Sequence, residues 1–379
     1  MNIKRDLLLT TLLSAGVLSF TPIAFAASNE LPNGWIVQVE GKGELERQDG
    51  RRVRARLGMP VFAGDRLLAT DGSLLVQCLN LSLQAIASGE QKPNTCISQA
   101  EKTEDEPECS PGSYGCPHRG DRDFQLHADV PYIISPRRTY LRTSTPRFRW
   151  HSVPNSQSYT VILKGDGVEI WRTTVEVGSV EAGLEPIPTE IIYSGDRSLE
   201  AGISYTLQIE TDQGASSLDA QPMAGGIHFQ ILEPEKQAEF SLKEAQIRQQ
   251  SLDPAAEHLA LARLYLNFDL IAEAIAHLES VVSNDIEGAS IYRQLGDLYL
   301  LNLGLVPLAQ AYYQQGLNQI ASDNLEDRAA IAHGLSQIYQ VMGDRSQALD
   351  WLTEVQQGYQ TLGYTQKLED IRKELRILE

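Results

Sequence analysis

The sequence predicts a multi-domain chain, an all-β N-terminal half followed by an all-helical solenoid. Three observations carry that expectation. Residues 34–232 consist of short alternating runs separated by turn signals such as Asp49-Gly50 and Gly165-Asp166-Gly167, the pattern of hairpin-linked strands. Beyond Glu233-Pro234 the composition becomes helical, and a Leu-small-x-x-Tyr pattern recurs there at a 34-residue spacing. All four cysteines fall within one short region of the β half.

The chain of 379 residues opens Met1-Asn2-Ile3-Lys4-Arg5 and carries no charge from Leu7 through Phe20. It reaches Ala24-Phe25-Ala26 just after Pro22. A basic start, an apolar run and a small-x-small site make a secretory signal, cut after Ala26. An uncleaved anchor competes with this reading, because Leu7 to Asn29 is free of charge and long enough to span a bilayer. Pro22 and the Ala-x-Ala triplet favour cleavage, so residues 1–26 are assigned to the signal. The mature chain is then expected in the periplasm or cell envelope with no membrane span. The full chain's formal charge of −18 repels nucleic acid and anionic lipid, so neither is an expected partner.

An even number of cysteines in an oxidising compartment reads as disulfides. Cys78, Cys96, Cys109 and Cys116 allow three pairings, of which Cys78–Cys96 with Cys109–Cys116 is favoured, because the second would close a compact loop. Cys96, Cys109, Cys116 and His118 are an alternative metal set, disfavoured because no C-x-x-C spacing occurs. No metal and no cofactor is expected.

Residues 27–97 read as a small β domain. Trp35-Ile-Val-Gln-Val39 leads through Gly41 and Gly43 to Glu44–Arg47, then Asp49-Gly50 turns into Arg52–Leu57. Strict alternation there puts Arg52, Arg54 and Arg56 on one face, either a solvated strand face or a contact for a polyanion. A second half follows, Gly58-Met-Pro-Val-Phe-Ala-Gly64-Asp65-Arg66-Leu67, then Thr70-Asp71-Gly72-Ser73 and the apolar strand Leu74–Cys78. This order, above all Gly64-Asp65-x-Leu67 and the Thr70…Ser73 step, resembles the FecR-type β domain of bacterial envelope regulators. The resemblance implies a periplasmic module that works by protein contact. The membrane segment and cytoplasmic tail of a true regulator have no counterpart. Residues 98–129 are acidic and poor in apolar residues, as in a solvated linker pinned by its cysteines.

Residues 130–233 return to strand patterning, with Phe148 and Trp150 alternating, then Ser158–Leu163, Val168–Val175, Ser204–Ile209 and Gly226–Leu232. Six or seven strands over about a hundred residues fit a β-sandwich. "P-R-F-R-W-H-S-V-P" with "L-E-A-G-I-S-Y-T-L-Q-I" is similar to immunoglobulin or fibronectin type III domains, which implies core and corner roles for Trp150 and Tyr205.

Residues 234–253 form a connecting helix or linker, Asp253-Pro254 restarts a helix, and the array occupies 254–379. Leu261-Ala262-x-x-Tyr265 recurs as Leu295-Gly296-x-x-Tyr299, and as Leu335-Ser336-x-x-Tyr339 after a longer interval. Second helices follow at Ala274, Ala309 and Ala348. Ala309 is one position late, which places an insertion near Gly304–Pro307, and the remaining extra length fits the turn at Ser322-Asp323-Asn324. Lys367–Leu378 reads as a capping helix. Spacing and small residues together resemble the tetratricopeptide repeat (TPR), in about three copies.

In that family the first helices line a concave groove. Ligand-facing positions three before and one after the small residue carry over to Leu259 and Arg263, Arg293 and Asp297, and His333 and Gln337, with Asn267 and Gln340 one turn further on. Arg263 and Arg293 offer forks for an acidic peptide or a terminal carboxylate, or merely solvate the groove or bond to Asp297 and its neighbours. His258 and His277 read as surface or packing residues. No G-x-S-x-G, H-E-x-x-H, P-loop or G-x-G-x-x-G occurs, so an enzyme is not expected. The expectation is an exported scaffold or adaptor that takes a protein or peptide in its TPR groove. The alternative is a cell-wall glycan or peptidoglycan binder using the three arginines.

Overall fold

The structure, a computed structural model, describes residues 32–97, 130–177, 188–219, 227–283 and 288–378. The expected signal, the acidic segment with Cys109, Cys116 and His118, and residues 178–187 lie outside the described residues. A β-rich N-terminal half with three sheets is followed by an all-helical region of eight α-helices among the described residues.

The first sheet has six strands: β1 (Gly34–Glu46), β2 (Arg52–Arg54), β3 (Pro60–Val61), β4 (Arg66–Cys78), β5 (Leu83–Ile86) and β6 (Gln91–Pro93). β1 and β4 pair antiparallel along their whole length, from Gly34 opposite Cys78 to Glu46 opposite Arg66. Gly41–Gly43 and Thr70–Ser73 lie inside these strands. Gly41 faces Gly72 at φ of 68° and 85°, and a Cβ on either would strike the opposite backbone. The glycines therefore permit a close crossing rather than a chain reversal. Arg52–Leu57 is shorter than expected, because pairing stops at Arg54. Ile36, Leu45, Val61, Leu67, Leu74 and Val76 form the core, and Cys78 is disulfide-bonded to Cys96.

Two further sheets face each other. One orders β11 (Val168–Glu176), β10 (Ser158–Gly165), β13 (Tyr205–Thr211), β14 (His228–Ile231) and β8 (Thr139–Leu141); the other orders β12 (Pro188–Ile192), β9 (Arg147–His151) and β7 (Ile133–Ser135). Phe148 and Trp150 from the second meet Tyr159, Val161, Leu163, Leu207 and Phe229 from the first in one core. Trp150 is fully buried with its ring 5.5 Å from that of Tyr159. The Tyr205 hydroxyl accepts from Glu200 N at 2.8 Å, tying the incoming chain to the strand.

The helices are α1 (Pro234–Arg248), α2 (Pro254–Asn267), α3 (Ile271–Val282), α4 (Ala289–Asp297), α5 (Val306–Gln319), α6 (Leu325–Val341), α7 (Arg345–Leu362) and α8 (Thr365–Leu378). Local chemistry sets their ends. Asp253 caps Ala256 N at 2.9 Å ahead of Pro254, Asp344 caps Gln347 N at 3.1 Å, and Gly363 closes α7 at φ 70°. Helices α2/α3, α4/α5 and α6/α7 pack as consecutive pairs, with Ala262, Ala274, Gly296, Ala309, Ser336 and Ala348 buried where backbones approach. A Cβ at Gly296 or Gly334 would run into the ring of Tyr313.

Both expected insertions sit inside helices rather than in turns. The residue that makes Ala309 late is absorbed as a π-helical turn over Leu298–Asn302, closed by Leu303 N to Leu298 O at 3.1 Å, the single-turn form in which π-helix mostly occurs. Much of the longer third interval is an added N-terminal turn of α6, which begins further ahead of Ser336 than α4 does ahead of Gly296.

Candidate functional site

Of the positions named from the repeat, Leu259, Arg263 and Asn267 on α2 are covered, whereas Arg293 and Asp297 on α4 are paired within the helical region. The cover is the chain's own six-stranded sheet. Leu259 is buried in an apolar cluster with Val37 of β1, Ile134 of β7 and Ile291 and Leu295 of α4. Leu57, Leu75 and Leu83 pack against the same cluster.

Arg263 is the centre of the contact. Its guanidinium lies over the Trp35 ring at 3.9 Å and donates to Gln294 Oε1. Gln294 in turn donates from Nε2 to Gly58 O at 2.9 Å. Two more side-chain amides bridge the same seam: Gln77 donates to Ala260 O at 3.2 Å, and Asn267 to Leu79 O at 3.0 Å. Strand backbone, aromatic ring and helix side chains thus satisfy one another, as buried polar groups require. Gly58, at φ 75°, leaves only about 3.0 Å between a notional Cβ and Ile291 or Gln294, which explains glycine at that contact.

Arg293 pairs with carboxylates of the helical region. It donates to Asp327 at 3.0 Å and Asp297 at 2.8 Å, and Asp297 also accepts from the Tyr313 hydroxyl at 2.8 Å. Burial pushes the Asp297 carboxyl up, and Arg293 pulls it back. Asp327 takes a further hydrogen bond from Ser290 and one from Asn324. Arg293 and Asp297 therefore brace α4 against α6.

In the third unit, His333 meets Glu374 of α8 at 3.2 Å. Gln337 and Gln340 are half-buried, and Gln340 Nε2 is buried with no hydrogen-bond partner. The sheet does not cover these positions in the same way; α8 flanks them.

The sheet is fastened a second time at the start of α6. Arg47 donates to Asp65 at 2.5 Å and to Glu326, its side chain only 5% exposed. It also lies over the Phe62 ring at 5.1 Å. Glu326 accepts from the Tyr364 hydroxyl as well, and Arg51 stacks over Tyr364 at 4.9 Å. Burial alone would lower the Arg47 pKa, but Glu326 and Asp65 outweigh it and raise it. Asp65 belongs to the Gly64-Asp65 turn, where it also accepts from Phe62 N at 2.8 Å.

Arg52, Arg54 and Arg56 do not form a free basic face. Arg52 pairs with Glu46 at 2.9 Å, and Arg56 pairs with Asp323 of the helical region at 2.5 Å. Arg54 is exposed. His258 and His277 face each other, Nδ1 to Nδ1 at 2.9 Å, with the Tyr265 ring 4.9 Å from His277. Burial, then His258, lowers the His277 pKa to about 4.

Sequence reasoning missed Trp35, Arg47, Gln294 and Glu326. Glu326 had a signal: it stands in the stretch that exceeds the 34-residue period, where added length points to an added contact. Nothing in the local pattern distinguishes Trp35 or Arg47 from other strand residues. Compared with protein-family models the sequence matches none, and no curated protein matches it. No helix among the described residues is long and apolar enough to cross a membrane.

Proposed function

We propose that this chain is an exported, non-enzymatic scaffold of the cell envelope, in which TPR-type helical pairs hold the chain's own FecR-like β domain. The observation that carries this reading is the Trp35–Arg263–Gln294–Gly58 contact, which occupies the positions where a repeat groove takes its ligand. The surrounding apolar cluster and the buried Arg47–Asp65–Glu326 group make the seam a permanent interface rather than a transient one. The disulfide Cys78–Cys96 and the signal-like start of the sequence support an oxidising, exported setting. A partner protein or peptide then meets the third unit of the groove, at the half-buried His333, Gln337 and Gln340.

Capture from an envelope extract tests this. The mature chain is compared with a His333→Ala/Gln337→Ala variant and with Trp35→Ala. A partner held by the wild type and lost by the first variant supports the reading. Equal capture by both moves the contact elsewhere. A partner captured only by Trp35→Ala shows instead that the first two units serve a competing ligand.

A further inference from the structure

Among the described residues the buried arginines are compensated, with one exception. Arg47 faces Asp65 and Glu326, Arg293 faces Asp297 and Asp327, and Arg263 lies between Trp35 and Gln294. Arg137 is 4% exposed, its Nε is buried with no hydrogen-bond partner, and no carboxylate among the described residues pairs with it. Its neighbour Arg138 is half-buried, also without a carboxylate, and gives only a long hydrogen bond of 3.4 Å to Asn302 O. The sequence holds 50 acidic residues against 32 basic ones, yet neither of these adjacent arginines pairs with a carboxylate among the described residues.

Their placement is specific. Both stand in the turn between β7 and β8, facing the loop that follows the π-helical turn. Across from them Gly304, at φ 65°, would bring a Cβ to nothing nearer than Arg137 Nη2 at 3.9 Å, so that wall is open. Arg138 holds φ 48°, a conformation uncommon outside glycine. A guanidinium does not shed its proton to escape burial, and an unpaired buried charge is heavily penalised. Burial, with the charge of Arg138 added, lowers the Arg137 pKa to about 10, still far above neutral pH.

We propose that Arg137 and Arg138 form a binding site for a small oxyanion, a carboxylate or phosphate group, in the seam between the β7–β8 turn and the Gly304 loop. The planar fork of Arg137 matches two oxygens of such a group, and the second guanidinium adds charge. The site is separate from the helical groove and does not rest on the scaffold reading.

The test is calorimetric titration of the full mature chain with inorganic phosphate and, separately, with succinate, in chloride buffer of constant ionic strength. One saturable site is expected for at least one anion. Phosphate alone binding marks a phosphate-bearing ligand, and succinate alone marks a carboxylate. Arg137→Met should weaken that binding at least tenfold, and should melt above the wild type in chloride because it no longer buries a bare charge. Arg137→Lys, which keeps charge but loses the fork, should bind with intermediate strength and serves if the methionine variant fails to fold. Absence of binding by both anions, or binding undiminished in the variants, overturns the proposal.

Discussion

Replacing Arg47 with alanine strands two carboxylates in a closed seam. In the native chain the side chains of Arg47, Asp65 and Glu326 are 5%, 2% and 12% exposed. The arginine also donates to Pro60 O at 3.2 Å. Removing one partner of a buried ionic group costs about 3–5 kcal/mol, because the other charge stays behind unpaired. Asp65 keeps its bond from Phe62 N and Glu326 keeps Tyr364, so the lower end, about 3 kcal/mol, is expected. Urea unfolding followed by far-ultraviolet circular dichroism reads that loss as a lower midpoint. The pH dependence has a definite sign. Burial already holds the Asp65 pKa above its ordinary value, opposed by Arg47. Without the arginine it rises further, so the folded variant binds the proton better than the unfolded chain does. The deficit of Arg47→Ala should therefore be largest at pH 7 and shrink as the pH falls toward 4. A loss below about 0.5 kcal/mol at pH 7, the range of ordinary surface changes, would refute the buried seam. A deficit that stays constant down to pH 4 would do so too.

Two further outcomes are expected. Glu273 has Oε2 buried without a partner, and burial raises its pKa to about 7. Its folded value exceeds the unfolded one, so its contribution is fully present below about pH 4.5 and is lost as pH rises through about 7. Glu273→Gln should therefore melt above the wild type at pH 8 and show a flatter profile, and equal melting at pH 8 would contradict the burial of that carboxyl. Gly296→Ala places a methyl group into the Tyr313 ring and should cost about 1–3 kcal/mol by overpacking, read from the same urea titration; an unchanged midpoint would mean that α4 and α5 are less close than described.

The order of elements was legible because it rests on local signals. Alternation, Asp-Gly turns and the 34-residue recurrence mark strands and helices without knowledge of what they pack against. The Cys78–Cys96 pairing was favoured because the remaining two cysteines would close a compact loop. Local signals misled where long-range packing reverses their meaning. Gly41 and Gly72 look like turn residues, yet they face each other across one continuous ladder. Gly304-Leu-Val-Pro307 looks like the place for an extra residue, yet a π-helical turn takes it up earlier. A shared contact role for Leu259 and Arg263 was legible, since their spacing sets them on one helix face. Their occupant was not, because no period or motif links Trp35 to Arg263 or Arg47 to Glu326, each pair more than two hundred residues apart. The opposed His258 and His277 were hidden for the same reason, standing on different helices.

A double-mutant cycle between Trp35 and Arg263 tests most directly whether the helical pairs hold the chain's own β domain. Trp35→Ala, Arg263→Ala and the double variant are unfolded in urea beside the wild type. A ring and guanidinium stacked at 3.9 Å in a desolvated seam should couple by about 1 kcal/mol or more. Effects that add to within about 0.5 kcal/mol would show that the two residues do not touch, and that the groove is open.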